Sequence, residues 1–179
     1  MDFSLFIASF GKPLPGTAVQ PAALGLGHSK GLNEFYRQVG GGLFGNGLLS
    51  LVSVREQLGN LGGWESSLPE EIHLFGTSAF GLLMLSRGED VWLVDTQMND
   101  VFESEMPIDE FIIKLCDPEI REEHLRESLF QEWSRGVLTL DSKSILSPTP
   151  ALALGGMWSR EALSEMRLPE YLHFTAQLR

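Results

Sequence analysis

Four short apolar runs, at residues 72–76, 80–86, 91–95 and 101–103, alternate with turn-forming clusters and set the tightest limit on the fold. The separators are Thr77-Ser78-Ala79, Arg87-Gly88-Glu89 and residues 97–100. Connections this short join strands that run up and down beside one another, because a parallel pair needs a crossover of about a dozen residues or more. The block therefore predicts an antiparallel meander, and the apolar face of such a sheet must be covered.

Helical patterns on both sides of the block supply that cover. Phe3, Phe6, Ile7 and Phe10 fall at i, i+3, i+4 and i+7 within residues 2–10. Gly11, Pro13, Pro15 and Gly16 end that pattern. Leu32, Phe35, Tyr36 and Val39 repeat the spacing over residues 33–39, and Gly40-Gly41-Gly42 closes the helix. Residues 48–52 read as a buried strand, and Ser53 as the cap of a helix over 54–61. After the meander, Pro107 opens a helix whose stripe is Ile108, Phe111, Ile112 and Leu115. A second helix is expected over 118–134, with Leu125, Leu129 and Trp133 four apart. Trp158-Ser159-Arg160-Glu161 and Leu168-Pro169-Glu170 each start a short helix. The class is α+β: an antiparallel meander sheet covered by helices, with a smaller helical and β N-terminal part. At 179 residues the chain suffices for one compact domain or two small ones. The polar stretch 66–71, with Pro69, is the best internal boundary, dividing the chain into 1–66 and 67–179.

Charge narrows the function. Between Glu89 and Glu132 the chain carries 14 acidic side chains and three basic ones, Lys114, Arg121 and Arg126; their balance equals the whole chain's net charge of −11. Such a chain repels phosphate backbones and anionic membrane surfaces, so neither nucleic acid nor membrane is an expected partner. A basic protein partner is favoured, since opposite fields speed encounter. A solvated face that aids solubility is the plainer account of the same charges. Residues 1–16 lack the positive start of a signal peptide and no apolar run approaches a membrane span, so a cytoplasmic location is expected. The single cysteine, Cys116, lies in an apolar helical pattern and reads as a small buried hydrophobe.

No motif supplies chemistry. Gly40-Gly41-Gly42-Leu43-Phe44-Gly45 fits GxGxxG, but a dinucleotide site needs a strand before it and a helix after it, and here the order is inverted. It is expected to be a close-packing connector. Residues 25–31 miss the phosphate-loop spacing, because Lys30 precedes the last glycine. Gly76-Thr77-Ser78-Ala79-Phe80-Gly81 is one residue too long for a nucleophile elbow and reads as a hairpin turn. His28, His73, His124 and His173 are dispersed, without HExxH or CxxC spacing. No catalytic residue, cofactor or metal is expected.

The C-terminal region carries a resemblance. Pro150-Ala151-Leu152-Ala153-Leu154-Gly155-Gly156 is followed by Glu161-Ala162-Leu163, Leu168-Pro169-Glu170-Tyr171-Leu172 and Ala176-Gln177. Upstream stand Phe75-Gly76, Phe80-Gly81-Leu82-Leu83 and Trp133-Ser134-Arg135-Gly136-Val137-Leu138. This ordered set resembles the C-terminal domain of the Tdi-type immunity family. Phe10-Gly11-Lys12-Pro13, Phe35-Tyr36-Arg37-Gln38-Val39-Gly40 and Gly47-Leu48-Leu49-Ser50-Leu51-Val52 resemble the GAD-like domain that precedes it. Residues 48–54 depart from that domain's pattern in lacking its tryptophan and proline.

The resemblance implies a cytoplasmic, non-catalytic protein without cofactor that binds a DNase effector of a type VI secretion system. The expected mechanism is occupation of the toxin's basic DNA-binding cleft. The candidate contact residues are Asp100, Glu103, Glu105, Glu122 and Glu123, expected to be exposed at turns and on helix surfaces. A regulatory or scaffold module for another bacterial protein is the rival reading. An enzyme whose histidines converge with carboxylates in a cleft is the third.

Overall fold

The computed structural model describes residues 2–19, 29–51, 61–135 and 140–178. The meander is present and longer than expected. Strands β1 (Gly42–Phe44), β2 (Leu49–Leu51), β3 (His73–Ser78), β4 (Leu82–Arg87), β5 (Asp90–Asp95) and β6 (Asp100–Pro107) form one sheet in chain order. Every neighbouring pair is antiparallel. A separate two-stranded ribbon pairs β7 (Ser144–Pro148) with β8 (Leu163–Arg167). The helices are α1 (Ser4–Phe10), α2 (Lys30–Gln38), α3 (Ile108–Lys114), α4 (Pro118–Ile120), α5 (Glu127–Ser134) and α6 (Leu168–Ala176).

The sheet is buried on both faces. Side chains alternate along a strand, so one face carries Met84, Val91, Leu93 and Phe102, which pack with residues of α1, α2, α3 and α5. The other face carries Leu83, Leu85, Trp92 and Val94, which pack with Trp64, Ile145 and the α6 residues Leu168, Tyr171 and Leu172. Double burial explains why Leu82-Leu83-Met84-Leu85 reads as an unbroken apolar run instead of an alternating one.

Long-range contacts fix the helices. Phe6 meets Phe35 and Phe44 edge-on, with ring centroids 5.0 and 5.2 Å apart, and Phe3 meets Phe35 at 5.2 Å. The Ser29 hydroxyl accepts the Leu32 N–H at 3.1 Å and caps α2. The Glu89 carboxylate, in the β4–β5 turn, accepts the Lys30 N–H at 2.5 Å and the Gly31 N–H at 3.2 Å. A carboxylate there also meets the positive end of the helix dipole.

Several expectations are corrected. The glycine run is not only a connector, because Gly42 opens strand β1. The helix expected over 54–61 lies, apart from Leu61, outside the described residues. The single helix expected over 118–134 is broken: α4 ends at Ile120, a widened π turn spans Arg121–Leu125, and Arg126 takes a left-handed conformation (φ 51°) before α5. Tertiary contacts hold the break. The Glu122 carboxylate accepts the Ser128 N–H at 3.0 Å, and the Arg126 guanidinium lies 4.1 Å from the Trp158 ring centre. The helix expected at Trp158 is only a 3-10 turn, Arg160–Ala162, which leads into the unforeseen β8. The elbow-like segment, by contrast, is the expected turn: the buried Ser78 hydroxyl accepts the Phe80 and Leu82 N–H groups at 3.3 and 3.1 Å.

The sheet runs through the 66/67 boundary, since β2 pairs with β3. The Trp64 indole also donates to the Thr175 hydroxyl on α6 at 3.3 Å.

Both tyrosines of the chain are buried. Tyr36 donates to the Phe75 carbonyl at 3.1 Å, and burial raises its phenol well above the usual range. Burial pushes Tyr171 up to about 12. A phenol titrates near 10 in an unfolded chain, so the folded state holds these protons more tightly. Their contribution to stability is complete below pH 10 and is lost as the pH rises toward 12, by about 1.4 kcal/mol per pH unit for each group. Urea midpoints should fall steeply across that window, with tyrosinate absorbance appearing together with unfolding. Tyrosinate appearing near pH 10 in still-folded protein would refute this.

Candidate functional site

The site begins with an irregularity in β6, an edge strand of the main sheet. From Asp100 to Glu103 its register against β5 is regular, with Asp95↔Asp100, Leu93↔Phe102 and Trp92↔Glu103. The register then shifts, and Asp90 pairs with Pro107. Ser104, Glu105 and Met106 thus stand opposite Val91 alone. Glu105 is left-handed (φ 56°), and the Ser104 hydroxyl accepts the Met106 N–H at 3.3 Å. A non-glycine residue in that conformation costs on the order of 1 kcal/mol. Bulges of this kind bend an edge and re-aim its side chains.

The bulge opens a groove of about 250 Å³ between β6 and the α3–α4 region. Leu82, Leu93, Phe102, Phe111, Leu115 and Ile120 make it apolar, and Glu103, Ser104, Glu105, Lys114 and His124 border it. A shallower recess on the far side of Met106 and Lys114 is lined by Leu5, Ile113, Cys116 and Pro118, with Glu110 and Asp117 beside it. Met106 and Lys114 belong to both. Leu5 is half exposed, a large apolar side chain left in solvent. Cys116 is buried, with its thiol pushed up chiefly by burial, which disfavours the reactive thiolate.

All five candidate carboxylates are exposed. Glu103 and Glu105 border the groove on the β6 side, although register sets Glu103 on the Trp92 face of the sheet. Glu122 and Glu123 precede His124 on the turn that forms another part of the border. Glu122 also caps α5 through Ser128. Asp100 stands apart, at the opposite end of β6, where it accepts the Val101 N–H at 2.9 Å. The structure thus brings Glu103 and Glu105 to the groove, leaves Glu122 and Glu123 outside its lining as chain neighbours of His124, and sets Asp100 apart. Sequence reasoning did not name Ser104, Met106 or Ile120 and did not place Lys114 or His124 at this groove, because the bulge holds no glycine and the proline after it, Pro107, reads as a helix start.

The acidic excess is left uncompensated. Arg121 turns inward, paired with Glu127 at 3.3 Å and stacked on Phe10 at 5.6 Å. Arg126 is partly buried against Trp158, and Lys114 pairs with Asp117 at 3.0 Å. Among the described residues, Asp100, Glu103, Glu105 and Glu123 make no ion pair.

Among the described residues the histidines do not assemble a metal site. His28 lies outside the described residues, His73 is on β3, and His173 on α6 contacts Gln177 at 2.9 Å. Among the described residues no three His, Cys, Asp or Glu side chains come together to hold a metal ion. No described helix is long and apolar enough to cross a membrane.

The PALALGG segment is a tight loop between β7 and β8. The Thr149–Pro150 bond is cis, and Leu152–Leu154 form a 3-10 turn. Gly155 is left-handed (φ 88°), and the Gly156 N–H donates to the Ala151 carbonyl at 3.0 Å. A side chain at Gly156 would drive its first carbon into the Pro150 carbonyl oxygen. Leu154 and Met157 project into solvent.

Known proteins share part of this chain's sequence and its fold. No curated protein shows a significant sequence match. The crystal structure of Atu4351 from Agrobacterium tumefaciens shares the fold at a TM-score of 0.71 and 18% identity, with 98% of this chain and 89% of that one covered. The family described as T6SS immunity protein Tdi1, C-terminal, matches residues 106–179. Residues 106–179 are thus similar to the C-terminal domain of the T6SS immunity protein Tdi1.

Proposed function

We propose that the protein binds a cognate DNase toxin of a type VI secretion system in the cytoplasm and neutralises it by occupying its basic DNA-binding cleft, without catalysis of its own. The family match over residues 106–179 carries this reading. The unpaired carboxylates beside that segment supply the physical means. A nuclease that grips phosphates presents Lys and Arg, and an acidic surface both attracts those groups and shuts DNA out. Steering acts mainly on the association rate, which matters when an incoming toxin must be captured before it cuts. In this reading residues 1–66 are a GAD-like part and 67–179 the immunity part, joined through the shared sheet.

Co-expression with the nuclease encoded by a neighbouring gene tests the proposal: survival and co-purification are expected. Death of the host despite soluble expression of both proteins would refute it. Reversing Glu103, Glu105 and Glu123 together to lysine should slow association about tenfold at low salt and flatten its salt dependence. Stopped-flow rates unaltered by the triple reversal would remove these residues from the docking surface.

A further inference from the structure

We infer that the partner enters through the two recesses flanking Met106 and Lys114, seating an apolar side chain in the β6 groove while its Lys or Arg neighbours meet Glu103, Glu105 and Glu110. The inference rests on the toxin-binding reading above and names the part of the surface that supplies tight binding. Charge draws a partner in but contributes little retention where solvent screens it; retention comes from a few side chains buried in fitted pockets. The groove has the needed make-up, an apolar interior within a polar border. At about 250 Å³ it accepts one large side chain, not a chain segment. Exposed Leu5 extends the apolar surface into the neighbouring recess.

Charge chooses the occupant. Of the groups bordering the two recesses, Glu103, Glu105 and Glu110 make no ion pair among the described residues, whereas Lys114 is already paired with Asp117. The unsatisfied charge is therefore negative, and it selects an apolar anchor flanked by cations. A second copy of this chain is a poor match, because the same acidic segment would face itself.

Hydrogen exchange on the full chain, alone and with an inactivated form of the neighbouring gene's nuclease, tests this directly. New protection over residues 102–120 is expected. Met106→Ala and Ile120→Ala should each speed dissociation, weakening the complex about thirtyfold with its salt dependence retained, whereas Glu161→Arg, outside both recesses, should not. Thermal melts check that each variant folds, and the wild-type protection pattern decides the matter if either does not. A complex protected elsewhere, or one that tolerates both truncations, overturns the groove and spares the immunity reading. No complex at all overturns both. Concentration-dependent protection of the same residues without nuclease identifies a second copy as occupant and overturns the inference.

Discussion

Replacing Phe35 with alanine is expected to lower the unfolding free energy by about 3–5 kcal/mol, a large share of what a domain of this size possesses. Phe35 is fully buried and joins elements far apart in the chain. Its ring meets Phe3, just ahead of α1, and Phe6 within it, and neighbours Tyr36 on α2, while Phe6 passes the contact on to Phe44 of β1. Truncation leaves a hole that α1 can fill only by leaving its place on the sheet. Phe35→Leu, which keeps most of the volume, should cost less than half as much. Urea unfolding measures both. A loss under 1.5 kcal/mol for the alanine variant would mean that the N-terminal helices are not part of the cooperative unit.

The second large effect is expected at Gly156. Alanine there sets its first carbon against the Pro150 carbonyl oxygen, a backbone atom that cannot swing aside. The loop between β7 and β8 must open, at about 2–3 kcal/mol, or roughly 5–10 °C in melting temperature. Gly155→Ala is the informative neighbour. Nothing lies within 4 Å of its added carbon, so only the left-handed backbone penalty of about 1 kcal/mol applies. Equal melting temperatures for the two variants would contradict the packing account. The paired glycines of PALALGG thus have separate causes, one steric and one torsional.

The central sheet was readable because its strands are local. β3 to β6 follow one another through short turns, and each run is apolar enough to be recognised alone. α1 and α2 were readable from their 3.6-residue spacing. The ribbon was not, since β7 and β8 are short and rich in serine and charge, and their pairing partners are brought together only across the PALALGG loop. The break at Arg126 was hidden for a related reason. Its left-handed backbone is held by Trp158, 32 residues downstream, and no glycine or proline announces it.

The site was legible to the same degree. Turn and helix positions correctly exposed Asp100, Glu103, Glu105, Glu122 and Glu123. Which of them stand together depends on the bulge at Ser104–Met106, where a glutamate occupies a conformation its residue type rarely adopts. Propensity scales read such a residue as ordinary strand or helix, so the groove and its inner lining came only with the coordinates.

The two borders of the sheet bear on self-association. On the β1 side the segment around Leu14–Val19 occupies the outer main-chain groups: Leu14 N–H donates to the Leu43 carbonyl, Leu43 N–H to the Thr17 hydroxyl, and Val19 bridges Gly41. On the β6 side, acidic side chains and a distorted backbone deny an incoming strand a straight template. Neither border of the main sheet thus offers a second chain a straight strand to extend.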